Sequence, residues 1–185
     1  MHNPSSDLGS RRVVAEGKHL RLIQQGHWEY AERTKAKWAV VLVAVTPDRR
    51  LLLTEQFRIP VGKPVIELPA GLVGDVTGLE DEEFEAAAQR ELLEETGYAA
   101  GGWRRVASGP PTAGLASELV VFMVASDVER VADGGGDESE QIEVHAVPLD
   151  QIHAWFAKQL ERDVLIDPKV YAGLYFVSFP SAADS

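Results

Sequence analysis

Three glutamates carry the strongest chemical signal in the chain. Glu91 and Glu95 stand four apart, and Glu94 lies three from Glu91, within Arg90-Glu-Leu-Leu-Glu-Glu-Thr-Gly97. On a helix, such residues project from neighbouring positions. A wheel drawn at about 100° per residue sets Glu91 and Glu95 on the arc of Phe84, Ala88 and Leu92. That arc is apolar, and Glu82, Glu85, Gln89 and Arg90 are expected on the exposed remainder. Carboxylates crowded into an apolar arc repel one another and are costly to desolvate. A divalent cation would compensate them, and an all-oxygen set favours Mg²⁺ or Mn²⁺ over zinc or copper. Arg90 is spaced to brace Glu94 as an i,i+4 pair. A lone E-x-x-E-E is more often a solvated helix face with routine ion pairs. The apolar arc, the abrupt Gly97 and the fixed-spacing neighbours upstream turn the balance toward a metal site.

The elements that must position these acids follow from periodicity and punctuation. Helical spacing predicts a helix over 81–96, with Asp81 as N-cap and Gly97 as the stop. Ahead of it, Lys18–Gln24 and Trp28–Arg33 read as an N-terminal hairpin or pair of edge strands. Trp38–Thr46 is an apolar, β-branched run and reads as a buried central strand. Leu51–Arg58 and Val65–Leu68 follow as strands, then a turn-rich stretch to Gly78. Beyond the helix, strands are expected over 103–108, 118–126 and 142–147. Asp133–Glu140, with three glycines in a row, reads as a mobile loop. A helix from 148 or 149 to 160 should turn Ile152, Trp155, Phe156 and Leu160 inward. Asp167-Pro168 opens a last helix, with Asp as N-cap and Pro at the first position. Many strands and few helices, out of strict alternation, point to an α+β fold or a helix–sheet–helix sandwich.

Composition bounds the function. The chain has 185 residues, with 18 Lys+Arg against 29 Asp+Glu and a net charge of −11. That length suits one domain able to bury a full core. The acidity argues against a nucleic-acid partner, which needs a basic footprint. There is no cysteine, so disulfides, thiolate nucleophiles and Cys-based zinc sites are excluded. Gly62-Lys63 lacks the flanks of a P-loop. No H-x3-H pair or G-x-S-x-G elbow appears. The longest wholly apolar run, Trp38–Val45, is far short of a membrane span. Met1–Gly17 has no apolar h-region, so the expectation is a cytoplasmic protein with a disordered leader at 1–10.

The acids also carry a resemblance. Glu82, seven residues, Arg90-Glu91, two residues, Glu94-Glu95, one residue and Gly97-Tyr98 resemble the Nudix box, G-x5-E-x7-R-E-U-x-E-E-x-G-U. The match from Glu82 to Tyr98 is complete. The opening glycine departs: position 76 is Val, and ten residues separate Gly71 from Glu82 where the box has five. This reads as a five-residue insertion in the loop entering the helix. Trp28-Glu29-x3-Arg33, Glu55-Gln-Phe-Arg58, Glu67-Leu-Pro-Ala-Gly71, Pro110-Pro111, Ser117-Glu118 and Asp137-Glu-Ser-Glu-x-Ile142 are similar to segments of ADP-ribose pyrophosphatases, a Nudix branch.

The resemblance implies an α/β/α sandwich around a mixed sheet, with an N-terminal antiparallel extension over 11–35 and a hydrolase domain over 36–180. It also implies a homodimer with no membrane partner. The implied activity is metal-dependent cleavage of ADP-ribose or a related nucleoside diphosphate sugar. Alternatives are an ADP- or GDP-hexose, a dinucleoside polyphosphate, or a non-catalytic ADP-ribose sensor. The implied metal ligands are Glu91, Glu95, the Ala70 carbonyl, Glu94 and Glu140. Glu138 matches the catalytic base, with Glu140 as the other candidate. Arg58 and Arg33 match phosphate contacts, Trp28 and Glu29 nucleoside contacts, and Glu118, Leu72 and His19 further substrate positions. For Trp28 the competing reading is a core residue, and for Arg58 a surface ion pair. The acidic loop would otherwise be merely solubilising.

Overall fold

The computed structural model describes residues 8–136 and 141–179. Strands β1 (Arg11–Glu16), β2 (Leu20–Gln25) and β3 (Trp28–Arg33) form an antiparallel meander in that order. The chain continues through β4 (Trp38–Val43), β5 (Arg50–Arg58), β6 (Lys63–Glu67) and β7 (Ala70–Leu72) to helix α1 (Phe84–Thr96). Then come β8 (Tyr98–Ala99), β9 (Gly102–Gly109), β10 (Leu119–Ser126), β11 (Glu129–Arg130) and β12 (Glu143–Pro148). Helix α2 (Ile152–Glu161), β13 (Leu165–Ile166) and α3 (Pro168–Ser178) complete the order.

Two mixed four-stranded sheets carry the core, in the orders β7-β4-β10-β9 and β12-β5-β6-β13. In each, one pair is parallel: β4 with β10, and β6 with β13. The β4 run is apolar at every position because both of its faces are covered. Ala39, Val41 and Val43 join the cluster that packs on α2 and α3 through Ile152, Phe156 and Val170. Val40 and Leu42 join the opposite cluster, with Ala87, Ala88 and Leu92 of α1. Period-two alternation on a doubly covered strand thus yields helix, sheet, helix in layers. Burial of a side chain such as Leu42 or Leu92 is worth about 1.5–3 kcal/mol, and both are fully buried. Among the described residues, no helix is long and apolar enough to cross a membrane.

The N-terminal meander is thin. Every residue of β1 is exposed, and Ile23 is the meander's fully buried side chain. Its attachment is specific all the same. The Ala31 N–H donates to Leu115, and the Ser117 N–H donates to Ala31, at 2.8 and 3.0 Å. This parallel bridge ties β3 to the loop that precedes β10.

Several expectations needed correction. Helix α1 starts at Phe84, and its N-cap is Glu83, without a side-chain cap bond; Asp81 does not cap it. Glu82 lies ahead of the helix, with a side chain only 4% exposed, and Arg90 is half-buried, so neither sits on a solvated face. Leu160 is 57% exposed, whereas Gln159 is 5% exposed. The cause is helical phase: Gln159 falls between Trp155 and Phe156 on the wheel, and Leu160 falls at its edge. Arg162 supplies the hydrogen bond that buried Gln159 needs. Residues 1–7 of the expected leader lie outside the described residues.

The last helix begins as its sequence predicts. Asp167 has extended backbone, and its carboxylate accepts from the Lys169 N–H at 2.7 Å, with Pro168 at the first position. Asp167→Ala should therefore cost about 1 kcal/mol, seen as a lower urea midpoint with an unchanged slope.

Candidate active site

Helix α1 presents its acids as the wheel requires. Glu95 is 6% exposed on the inward arc, beside fully buried Leu92. Its carboxylate accepts from the Ala70 N–H at 3.1 Å, which docks the helix on β7. Gly97 ends the helix in the left-handed region at φ 74°, and its N–H donates to Leu93. Gly71 is required by close approach: a Cβ there would lie 1.8 Å from the Glu91 carboxyl carbon. The Glu91 carboxylate thus lies directly over the β7 backbone.

Arg90 organises the outer side of the site. It donates to Glu82 at 2.9 and 3.1 Å, to Glu91 at 2.6 Å and to the Leu72 carbonyl at 3.2 Å. The expected brace to Glu94 exists but is the longest of these, at 3.5 Å. The hydrogen bond from Arg90 holds the Glu82 carboxyl below its ordinary range. Burial pushes the Glu91 carboxyl above its ordinary range; Arg90 opposes the shift, and Glu94 and Asp75 add to it. Glu91 is therefore a carboxylate that the fold alone leaves under-compensated.

These groups open onto a cleft of about 550 Å³ lined from both four-stranded sheets, α1 and α3. Ala39, Val41 and Val120 contribute apolar lining. Ala70, Gly71, Leu72, Glu91 and Glu95 line it, together with Arg33, Arg58 and Glu118. Its cations have partners: Arg58 bonds Glu67 at 2.6 Å, Arg33 bonds Glu118, and Lys169 bonds Asp167 at 2.5 Å.

The expected substrate and metal residues divide into four groups. Ala70, Leu72, Glu91, Glu95, Arg33, Arg58 and Glu118 converge on the cleft. Trp28 is 53% exposed, which removes the core reading, and it lines a neighbouring cavity of about 310 Å³ with Tyr30 and Ser117. Glu29 is exposed beside it on β3, His19 lies in the exposed turn between β1 and β2, and the Glu94 side chain is 58% exposed; none of these three lines the cleft. Glu138 and Glu140 lie outside the described residues. Sequence reasoning missed Asp75, Gln56 and Lys169, which line the cleft. Asp75 lies in the lengthened loop between Gly71 and Glu82, where motif spacing gave no signal for it.

The run Gly134–Gly136 is not simply a flexible tether. The Gly135 and Gly136 N–H groups donate to the Glu95 and Glu94 carbonyls, at 2.8 and 3.1 Å. A Cβ on Gly134 would come within 2.2 Å of the Thr96 carbonyl carbon. The glycines let this segment lie against the last turn of α1, capping carbonyls left open by the helix end.

The donor types at the cleft suit a divalent cation. Glu91 and Glu95 offer carboxylate oxygens at one cleft, and Oδ1 of Asp75 is buried with no hydrogen-bond partner among the described residues. All are hard oxygen donors, as Mg²⁺ and Mn²⁺ prefer. A second group, Glu55, Glu143 and His145, holds its ligand atoms within 4.8 Å of one another. There Glu55 already meets His145 at 3.0 Å and Arg162 at 3.3 Å, and it points from the face of β5 opposite cleft-lining Gln56. That group is an ion-paired cluster. A larger cavity of about 710 Å³ lies between α2, α3 and the β4–β5 turn, and it lacks a comparable acid set.

The NUDIX domain model matches residues 35–172, and the chain belongs to that family. It is 30% identical over 152 residues to the ADP-ribose pyrophosphatase of Bacillus subtilis (strain 168), covering 82% of this chain and 77% of that one. It is 34% identical over 159 residues to the GDP-mannose pyrophosphatase of Escherichia coli (strain K12), covering 82% and 75%. A crystal structure of an ADP compounds hydrolase superposes with a TM-score of 0.68 at 20% identity, covering 91% of this chain and 90% of that one; this likeness shows the fold. Family and relatives together make the chain a Nudix hydrolase.

Proposed function

We propose that this chain is a Mg²⁺-dependent pyrophosphohydrolase, with Mn²⁺ as substitute, that cleaves ADP-ribose or a related nucleoside diphosphate sugar. The products are a nucleoside monophosphate and a sugar phosphate. The observation that carries the reading is the convergence of Glu91, Glu95 and Ala70 with Arg33 and Arg58 on one cleft. The two named relatives share this substrate class, a nucleoside diphosphate sugar, and differ in base and sugar.

Glu91, Glu95 and the Ala70 carbonyl would hold the cation, with Glu94 as an outer ligand. Bound there, the ion would neutralise the diphosphate and lower the pKa of water. Arg58 and Arg33 exchange their glutamate partners for phosphate oxygens, which a guanidinium binds in bidentate fashion. Water attacks one phosphorus, the bridging oxygen leaves with the other phosphate, and the proton passes to a loop carboxylate. Glu138 is assigned that role, with Glu140 as the other candidate and as a further metal ligand. Glu118 and Leu72 contact the substrate, Trp28 and Glu29 the nucleoside, and His19 lies further out.

A panel of nucleoside diphosphate sugars with Mg²⁺ or Mn²⁺, scored by product identity, tests the reading. ADP-ribose should give AMP and ribose 5-phosphate. Release of no nucleoside monophosphate from any member defeats it. If Trp28 stacks on the base, Trp28→Ala should raise KM about tenfold and change kcat little, a loss of uniform binding. Steady-state kinetics check this, and an equal fall in kcat would contradict it.

The same reading makes 11–35 a substrate and dimer extension, 36–180 the hydrolase domain, and the protein a cytoplasmic homodimer. Exposed Val13, Val14, Leu20 and Leu22 on the meander support the dimer. The net charge of −11 supports small-molecule rather than nucleic-acid partners.

A further inference from the structure

The five inserted residues lengthen the loop that runs from Gly71 to Glu82, and the loop is ordered by its own contacts. The Val73 N–H donates to the Trp38 carbonyl at 3.0 Å. Gly74 takes φ +73°, so close to Glu80 that a Cβ would lie 2.6 Å from its carbonyl oxygen. The Gly74 N–H reaches the Glu82 carboxylate at 3.4 Å, and Glu82 is itself clamped by Arg90. The residue that follows this pinned glycine is Asp75, and it lines the acid cleft with Glu91 and Glu95.

Oδ1 of Asp75 is shielded from solvent and has no hydrogen-bond partner among the described residues. A buried carboxylate oxygen without a donor is costly and calls for a cause. The neighbouring cations are engaged elsewhere. Arg90 serves Glu82, Glu91 and the Leu72 carbonyl, and Arg33, Arg58 and Lys169 each hold another acid. We propose that Asp75 is a further oxygen ligand, supplied by this chain's lengthened loop, for a divalent cation held at the cleft with Glu91 and Glu95. The inference rests on the metal-cleft reading above and extends it to a residue outside the box motif.

The test is binding of Mn²⁺ alone, without substrate, to wild type, Asp75→Asn and Glu95→Gln. Free Mn²⁺ is followed by electron paramagnetic resonance, and thermal midpoints are taken in chelator and in Mn²⁺. D75N should weaken Mn²⁺ binding by about tenfold to a hundredfold and lose part of the metal-induced rise in Tm. In chelator its Tm should equal or exceed that of wild type, because the charge on a carboxylate with a shielded, donorless oxygen has gone. D75N that binds Mn²⁺ like wild type, or that melts lower in chelator or unfolds there, overturns the proposal. If E95Q loses Mn²⁺ while D75N keeps it, the Asp75 assignment fails and the metal cleft stands. If wild type binds no Mn²⁺, or E95Q binds it equally well, both readings fail.

Discussion

Replacing Glu95 by Gln should lower turnover about a thousandfold, equivalent to about 4 kcal/mol of transition-state stabilisation, and leave the fold in place. The two halves of this expectation have separate causes. Gln keeps an oxygen that can accept from the Ala70 N–H, the contact that docks α1 on β7. It also fits the same buried position on the inward arc, which is 6% exposed. What it removes is charge, at a cleft whose proposed work is to hold a cation against a diphosphate. Steady-state kinetics at saturating Mg²⁺ measure the first half, and circular dichroism with a thermal melt measures the second. Turnover within tenfold of wild type would contradict the assignment.

Arg90→Met has the other large effect, on stability first and activity second. The guanidinium holds Glu82, whose side chain is 4% exposed, and Glu91, whose side chain is 12% exposed. Breaking a buried pair by removing one partner costs about 3–5 kcal/mol, because the charge left behind has no compensation. The pH dependence has a definite sign. Glu82 has a folded-state pKa below its unfolded value. Its contribution in wild type is therefore present above that unfolded value, about 4.3, and is lost as pH falls through the folded one. Glu91 is shifted upward in the fold, so its burial opposes folding increasingly as pH rises through that raised value. Without Arg90, both carboxylates are raised, and protonation relieves them. The variant should thus lose more stability at pH 7 than at pH 4. Urea unfolding at the two pH values checks this, and equal losses would contradict it. Turnover should fall as well, because Glu91 loses the hydrogen bond that orients it over Gly71.

Local chemistry made much of this site legible from the sequence. Glu91 and Glu95 were placed on the apolar arc by helical phase alone, and the fold puts them beside Leu92 and Ala88. Gly97 and Asp167-Pro168 marked helix ends through backbone requirements that any context imposes. The long strands at 38–43, 50–58 and 119–126 followed from period and β-branching. Wherever a distant contact decides the outcome, sequence reading fell short. Asp81 was well spaced to cap α1, but the chain ahead of the helix instead turns at Leu79–Glu82 and commits Glu82 to Arg90 and Gly74. The glycine run at 134–136 looked like slack because its packing against Thr96 and the α1 carbonyls joins segments some forty residues apart. Leu160 was expected inward for its apolar side chain, but Gln159 is buried instead, and Arg162 makes that burial tolerable. The two-residue strands β8, β11 and β13 have no period to detect. Asp75 lay in an insertion, where motif spacing offers no template.

The opening acids also resolve a difficulty of charge. A chain at −11 is a poor host for a diphosphate unless a cation stands between them. The cleft's arginines are already matched to Glu67 and Glu118, so they add direction more than net positive charge. The central claim is therefore metal-dependent attack of water on phosphorus at this cleft. The most direct measurement is turnover of ADP-ribose in ¹⁸O-labelled water, with Mg²⁺ and with chelator, reading the label in the two phosphate products by mass spectrometry. With Mg²⁺, one labelled oxygen should appear in one of the two products, and with chelator there should be no turnover. Unlabelled products, or turnover indifferent to chelator, would contradict that claim.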